Sequence, residues 1–313
     1  MENLRGSLLM IFAMVCFAME DMFVKLLADR IPVGEILMIF ALGGGAIFAA
    51  AAVWRGDGLW SRDLLAASVI GRNLGEIIGT VGYILAVALT PLATASAILQ
   101  ATPLVVTLGA AIFLKEPVGW RRWSAIIVGF IGVLIVIQPG GEAFDPLSIL
   151  AVIGVIGLAA RDVVTRKVPK SISSMQLSAY GFLILAPAGW AMMVVMGDEF
   201  VALTRGEMLW ISGGIAFGTV GYYALIAAMR IGEASVITPF RYMRLLMAIA
   251  ISALVFDEPA TMWTMIGGAV IVVSGLYSLL REQRLKRRAA RERARGVLTV
   301  AKEDVAEVGG PLL

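Results

Sequence analysis

The amino-acid sequence predicts an all-α membrane protein whose ten transmembrane helices form two inverted five-helix repeats. Three observations predict it. Of 313 residues, 59% are apolar and 16% charged, with a mean hydropathy of +0.89, far from the mix of an ordinary soluble domain. The apolar residues come in runs near the ~20 residues that cross the hydrocarbon core of a bilayer. Motifs of the first half then recur in the second after an odd number of runs. A soluble globular enzyme is excluded by the first observation alone. The chain has no histidine and one cysteine, Cys16, so an internal disulfide, zinc hydrolysis and Ser-His-Asp chemistry are excluded too. No metal and no cofactor is expected.

The spans follow in order along the chain. The first, 6–27, carries Glu20 and Asp21 and lacks a small-residue cleavage site, so it reads as a retained helix rather than a signal peptide. Arg30-Ile31-Pro32 ends it. The second covers 34–54 and the third 64–88, closed by Thr90-Pro91. The fourth, 92–114, stops before Glu116-Pro117, and the fifth, 121–138, before Pro139-Gly140-Gly141. The sixth and seventh cover 147–166 and 175–196, the latter ended by Gly197-Asp198. The eighth, ninth and tenth take 208–229, 233–256 and 262–281, with Glu258-Pro259 between the last two. Proline and glycine end helices at these places for steric reasons, and the short connections make neighbours antiparallel. Pro103, Pro187 and Pro239 fall inside runs and mark expected bends. Gly43, Gly44, Gly45, Gly214, Gly218, Gly267 and Gly268 read as helix-contact residues.

Lys and Arg alternate between loops. Arg5, then Arg55 and Arg62, then Lys115, Arg121 and Arg122, then Arg166, Lys167 and Lys170, then Arg230 fall on one side, while Arg30 and Arg205 are nearly all the other side offers. Cationic loops stay in the cytoplasm, so both termini are expected there. The net charge of +3 is not a nucleic-acid footprint, because Arg281, Arg284 and the run from Lys286 to Arg295 gather the basic residues in one tail. That tail, 282–313, reads as a cytoplasmic helix fraying into disorder.

Gly79-Thr80-Val81-Gly82-Tyr83 in the third span recurs as Gly218-Thr219-Val220-Gly221-Tyr222 in the eighth. Asp21 with Lys25 answers Asp162 with Arg166, and Lys115-Glu116-Pro117 answers Asp257-Glu258-Pro259. The offsets are 139, 141 and 142 residues, which divides the chain into 1–141, 142–281 and the tail. Five spans per half oblige the second copy to enter the membrane from the opposite side. Inverted repeats of this kind place a substrate site near the midplane between the halves.

A charge at the centre of a spanning helix costs about 2.5–3.5 kcal/mol on the lenient insertion scale, so each asks for a partner or for water. Glu20, Asp21, Arg72, Glu76, Arg161, Asp162, Arg241 and Arg244 all lie within spans. Arg72 and Glu76, four apart, can pair locally. Arg241 and Arg244 share a face with no acid in their own span past its first residue, Glu233, which leaves two readings. Acids of other helices neutralise them, or a guanidinium faces the cavity and receives a substrate group. If protons are coupled to the cycle, Glu20, Asp21, Glu76 and Asp162 are the groups to titrate.

With these residues in view, the chain resembles the drug/metabolite transporter superfamily in its ten-helix EamA-type branch. The resemblance runs over about 5–282 and rests on Asp21-Met22-Phe23-Val24-Lys25, Arg72 through Tyr83, Ala93 to Ala97, Pro103-Leu104, Lys115-Glu116-Pro117, Ala234-Ser235-Val236, Pro239-Phe240-Arg241-Tyr242 and Phe256-Asp257-Glu258-Pro259. It implies a secondary carrier of the bacterial inner membrane with a cavity lined by the first, third, fourth, sixth, eighth and ninth helices. That puts Asp21, Glu76, Tyr83, Gln100, Asp162, Tyr222, Arg241, Tyr242 and Arg244 near the path. The Asp-xxx-Lys and Pro-Phe-x-Tyr variants resemble a subset that includes riboflavin and S-adenosylmethionine carriers; many other relatives carry Trp-Gly where this chain has Met19-Glu20-Asp21.

The function expected is therefore secondary transport of a small polar or zwitterionic organic metabolite by alternating access, with riboflavin, S-adenosylmethionine and amino acids as candidates. The alternative is a lipid-carrier flippase or a non-transporting membrane scaffold. An intramembrane enzyme comes third, because no Ser-Lys or paired-Asp constellation stands on facing helices.

Overall fold

The computed structural model describes residues 2–115, 119–141, 144–169, 171–231, 234–281 and 284. Among them no strand occurs, and ten helices are long and apolar enough to cross a membrane: α1 (Leu4–Ala28), α2 (Val33–Trp54), α3 (Ala67–Leu89), α4 (Leu92–Phe113), α5 (Trp120–Ile137), α6 (Ser148–Thr165), α7 (Ser174–Met196), α8 (Arg205–Met229), α9 (Thr238–Val255) and α10 (Met262–Arg281). Each falls within a few residues of its expected run. The chain is apolar outside as well as in. Trp54, Val195 and Leu254 are more than four-fifths exposed while Ile36, Leu92 and Ile271 are fully buried, the pattern of a bundle whose solvent is lipid. The expected cytoplasmic helix of the tail, 282–313, lies outside the described residues apart from residue 284.

Three spans are not continuous, and each break belongs to a proline. The helix of α4 stops at Leu99 and restarts at Thr102, just ahead of Pro103, whose ring excludes an amide bond to the preceding turn. In α7 the break falls between Leu183 and Leu185, ahead of Pro187. In α9 a short turn, Ala234–Ile237, leads into a 3₁₀ segment, Thr238–Tyr242, that contains Pro239, and the α-helix proper begins at Met243. Residues 64–66, expected at the start of the third span, belong instead to a 3₁₀ turn, Arg62–Leu65, and its cap; the Ser61 hydroxyl accepts from the Asp63 amide and fixes that turn before α3 starts.

Packing follows the glycines. α3 lies along α6 and α1 along α8 over much of their lengths; α2 packs on α7, α4 on α6 and α9, and α1 on α9. Gly132 of α5 meets Gly267 of α10 backbone to backbone. A Cβ added to Gly79 would sit 2.6 Å from the Leu158 amide nitrogen, so only glycine lets α3 approach α6 this closely. Exchanging the halves carries α1·α8 onto α6·α3 and α1·α9 onto α6·α4, and returns α2·α7 and α4·α9 to themselves. The turns after α4 and α9 match as well. Lys115 and Asp257 both adopt the left-handed conformation, with φ of 54° and 53°, uncommon for residues other than glycine.

Candidate functional site

The helices enclose a cavity of about 390 Å³, within the ~300–1,000 Å³ of small-molecule sites. Its wall reaches from Leu37 and Val87 near one end of the bundle to Arg166 and Leu279 near the other. All nine residues expected near the path line it: Asp21, Glu76, Tyr83, Gln100, Asp162, Tyr222, Arg241, Tyr242 and Arg244. They are not equivalent, because most of the charges are already engaged.

One cluster joins α1, α3 and α9. Arg244 grips Asp21 with two parallel bonds, Nε to Oδ2 at 2.9 Å and Nη2 to Oδ1 at 2.7 Å. The Tyr83 hydroxyl donates to the same Oδ2 at 3.1 Å and lies 3.4 Å from the Ser96 hydroxyl. The guanidinium also lies over two aromatic rings, 5.3 Å from the centroid of Phe17 and 5.2 Å from that of Tyr83. Bidentate pairing and ring stacking suit arginine and not lysine. Arg244 is thereby immobilised by the protein's own groups.

A second cluster joins α3 and α6. Arg72 meets Glu76 at 2.6 Å along one face of α3, as the four-residue spacing predicts, but Glu76 also receives Arg161 of α6 at 2.8 Å. Arg161 in turn holds Asp162 through Nε and Nη2, each 2.9 Å from Oδ1. Thr80 donates to Glu76 at 3.4 Å and Arg72 to Asn73 at 3.0 Å. The local pair is thus one edge of a network that ties the halves together. Gly181 of α7 makes room for the Arg72 guanidinium, which a Cβ there would strike.

The remaining lining groups divide by where they point. Tyr222 packs its ring edge-on against Phe48 and Phe182, with centroids 5.2 and 5.9 Å away. The Tyr242 hydroxyl is turned against Gly275 of α10 and is buried without a hydrogen bond among the described residues. Gln100 stands at the break in α4, where its side chain faces the cavity. Glu20 and Arg241 line the cavity as well, and no hydrogen bond or ion pair joins either of them to another described residue. The nine candidates drawn from sequence omit Glu20, Arg72 and Arg161, although all three are visible as charges within spans. The signal that finds them is charge balance: Glu76 and Asp162 are the acids of α3 and α6, and Arg161 is the cation that reaches both.

At the end of the bundle past Val24 and Val87, polar contacts join the halves. Lys25 of α1 donates to the Thr90 carbonyl at 2.8 Å and lies 3.0 Å from Glu258, just beyond α9. Arg30 pairs with Glu207 of α8 at 2.9 Å and donates to the Ala202 carbonyl at 3.1 Å. Glu35 accepts the Val201 amide at 3.0 Å. At the opposite end, Tyr180 donates to the Leu59 carbonyl at 2.6 Å, Ser171 to Asp63 and Gln176 to the Gly58 carbonyl.

Comparison with known proteins agrees with this architecture. The EamA-like transporter family matches twice, over residues 4–138 and 146–280. An S-adenosylmethionine uptake transporter of Rickettsia bellii is 25% identical over 215 residues, 68% of this chain and 72% of the relative. That of Rickettsia prowazekii is 22% identical over 285 residues, 90% of this chain and 94% of the relative. A riboflavin transporter of Vibrio cholerae is 27% identical over 196 residues, 61% of this chain and 64% of the relative. A crystal structure superposes with a TM-score of 0.61 at 18% identity, covering 90% of this chain and 98% of the other, a likeness of fold.

Proposed function

The chain belongs to the EamA-like transporter family, and from that premise we propose that it is a secondary carrier that moves a small polar or zwitterionic organic metabolite across the bacterial inner membrane by alternating access. It is a multi-pass membrane transporter rather than an enzyme. S-adenosylmethionine, riboflavin and amino acids are the substrates to try first, the first two because relatives are named for them. The observation that supports the reading is a cavity of about 390 Å³ walled by residues of α1–α4 and α6–α10, wider than the six helices the resemblance implies, with the ionic clusters in its lining. A cavity wall this rich in charged and polar groups suits water or a polar occupant better than hydrocarbon, which favours a water-soluble substrate over a lipid.

On this reading 1–141 and 142–281 are inverted repeats with both termini in the cytoplasm. Exchange symmetry among the helix pairings and the shared left-handed turns support it. Alternating access then amounts to opening one end of the bundle while the other stays closed. The ion pairs Lys25–Glu258 and Arg30–Glu207 hold the end that the orientation assigns to the outside.

Purified protein reconstituted in proteoliposomes and given a panel of radiolabelled metabolites tests the proposal. We expect at least one compound to exchange faster than through empty vesicles, and Arg241→Ala to abolish that exchange. A correctly folded protein that carries nothing in the panel would remove the carrier reading.

A further inference from the structure

Charge accounting in the cavity narrows the substrate class. Its lining holds four carboxylates, Glu20, Asp21, Glu76 and Asp162, and five guanidinium groups, Arg72, Arg161, Arg166, Arg241 and Arg244. Asp21 is taken by Arg244, Glu76 by Arg72 and Arg161, and Asp162 by Arg161. Arg166 has a partner of its own. That leaves one acid and one base, Glu20 on α1 and Arg241 on the 3₁₀ turn of α9, both facing the cavity and neither paired with a described residue.

Their surroundings keep them so. Gly218 of α8 clears the space in which the Glu20 carboxylate stands, since a Cβ at that position would collide with it. Asp21, next along the chain, is saturated by Arg244 and Tyr83 and points to α3 and α9. Arg241 sits between the two ionic clusters, with Arg244 three residues on, and the acids of both clusters are already bound to other arginines. An isolated charge is costly at this depth, so an acid and a base left without a hydrogen-bond or ion-pair partner suit an occupant that brings both signs.

We propose that the carrier selects zwitterions: Arg241 receives the substrate's carboxylate and Glu20 its cationic group, an ammonium or a sulfonium. This rests on the carrier reading and divides the candidates it leaves open. S-adenosylmethionine and amino acids carry both charges, whereas riboflavin, neutral at physiological pH, would leave Glu20 and Arg241 unmatched.

Binding of S-adenosylmethionine and the common amino acids to the full-length protein in detergent, each compared with its carboxyl methyl ester and with riboflavin, tests this. We expect at least one zwitterion to bind, and its ester, which lacks the anion but keeps the cation, to bind about tenfold or more weakly, as removal of a charge-assisted hydrogen bond dictates. Arg241→Gln should bring the acid down to the level of the ester without changing the ester, Arg241→Lys should keep part of the difference, and Glu20→Gln should weaken both. Melting temperatures near that of the unaltered protein establish that the variants are folded. Binding of riboflavin but no zwitterion, equal binding of acid and ester, or an Arg241→Gln effect on both alike would overturn the proposal. Carriage of a neutral compound in proteoliposomes would sink zwitterion selection while leaving the carrier reading intact; carriage of nothing would sink both.

Discussion

Asp21 ties α1 to both α3 and α9. It is acceptor to both arms of Arg244 and to the Tyr83 hydroxyl, with 6% of its side chain exposed against 17% for Arg244. Removing one partner of a buried pair leaves the other charge uncompensated, at about 3–5 kcal/mol. Asp21→Asn should therefore lower the melting temperature in detergent by several degrees, and adding Arg244→Gln should recover much of the loss, since no charge is then left stranded. An unchanged melting temperature for Asp21→Asn would mean that water already shares the pairing. The sequence places Arg241 and Arg244 together in a span without an acid, but it does not separate their roles. The reason is local geometry. Arg241 belongs to the 3₁₀ turn Thr238–Tyr242 and Arg244 to the α-helix that follows, so the rotation between them is not that of one regular helix. One guanidinium is delivered to Asp21 and the other left facing the cavity.

Helix ends and bends are legible wherever proline or glycine punctuates the chain, because the steric rule is local. Pro103, Pro187 and Pro239 each accompany a real interruption. Which helix lies on which is not local, and the sequence marks glycines as contact residues without assigning their partners. The α3–α6 contact shows what decides it. Gly75, Gly79 and Gly82 face Gly154, Gly157 and the backbone near Arg161, and this approach is what brings Arg161 to Glu76. A side chain at Gly79 would press on the Leu158 backbone at 2.6 Å, and backbone cannot rotate away, whereas one at Gly71 would meet Val164 at an ordinary 3.6 Å. Gly79→Ala should cost about 1–3 kcal/mol by overpacking and reduce the yield of folded protein. Gly71→Ala should be neutral or slightly stabilising, as alanine is the better helix former. Comparing melting curves of the two variants checks the claim; equal behaviour would show that the helices slide apart at little cost.

Across the whole molecule the two halves repeat charged positions in sequence as well as helix pairings. Lys25 closes α1 and pairs with Glu258, in the turn after α9. By the offsets read from the sequence, the counterparts are Arg166, which closes α6, and Glu116, in the turn after α4; Glu116 lies outside the described residues. If the halves are inverted, Arg166 and Glu116 stand at the opposite face of the membrane from Lys25 and Glu258, and a carrier that alternates would pair each couple in turn, stabilising the state in which its own end is shut. The same arrangement would let neither pair dominate, because a bond too strong at one end would trap the cycle. Reversal of charge separates this from a merely structural role. Lys25→Glu places two carboxylates together and should reduce exchange in proteoliposomes at least about tenfold, the scale on which a charge-assisted hydrogen bond acts, while the double variant with Glu258→Lys should regain a large part of the rate because the attraction is restored with its sign exchanged. Arg166→Glu and its rescue by Glu116→Arg should behave alike. Full exchange by both single variants, with folding verified by melting temperature, would show that the end pairings take no part in the cycle.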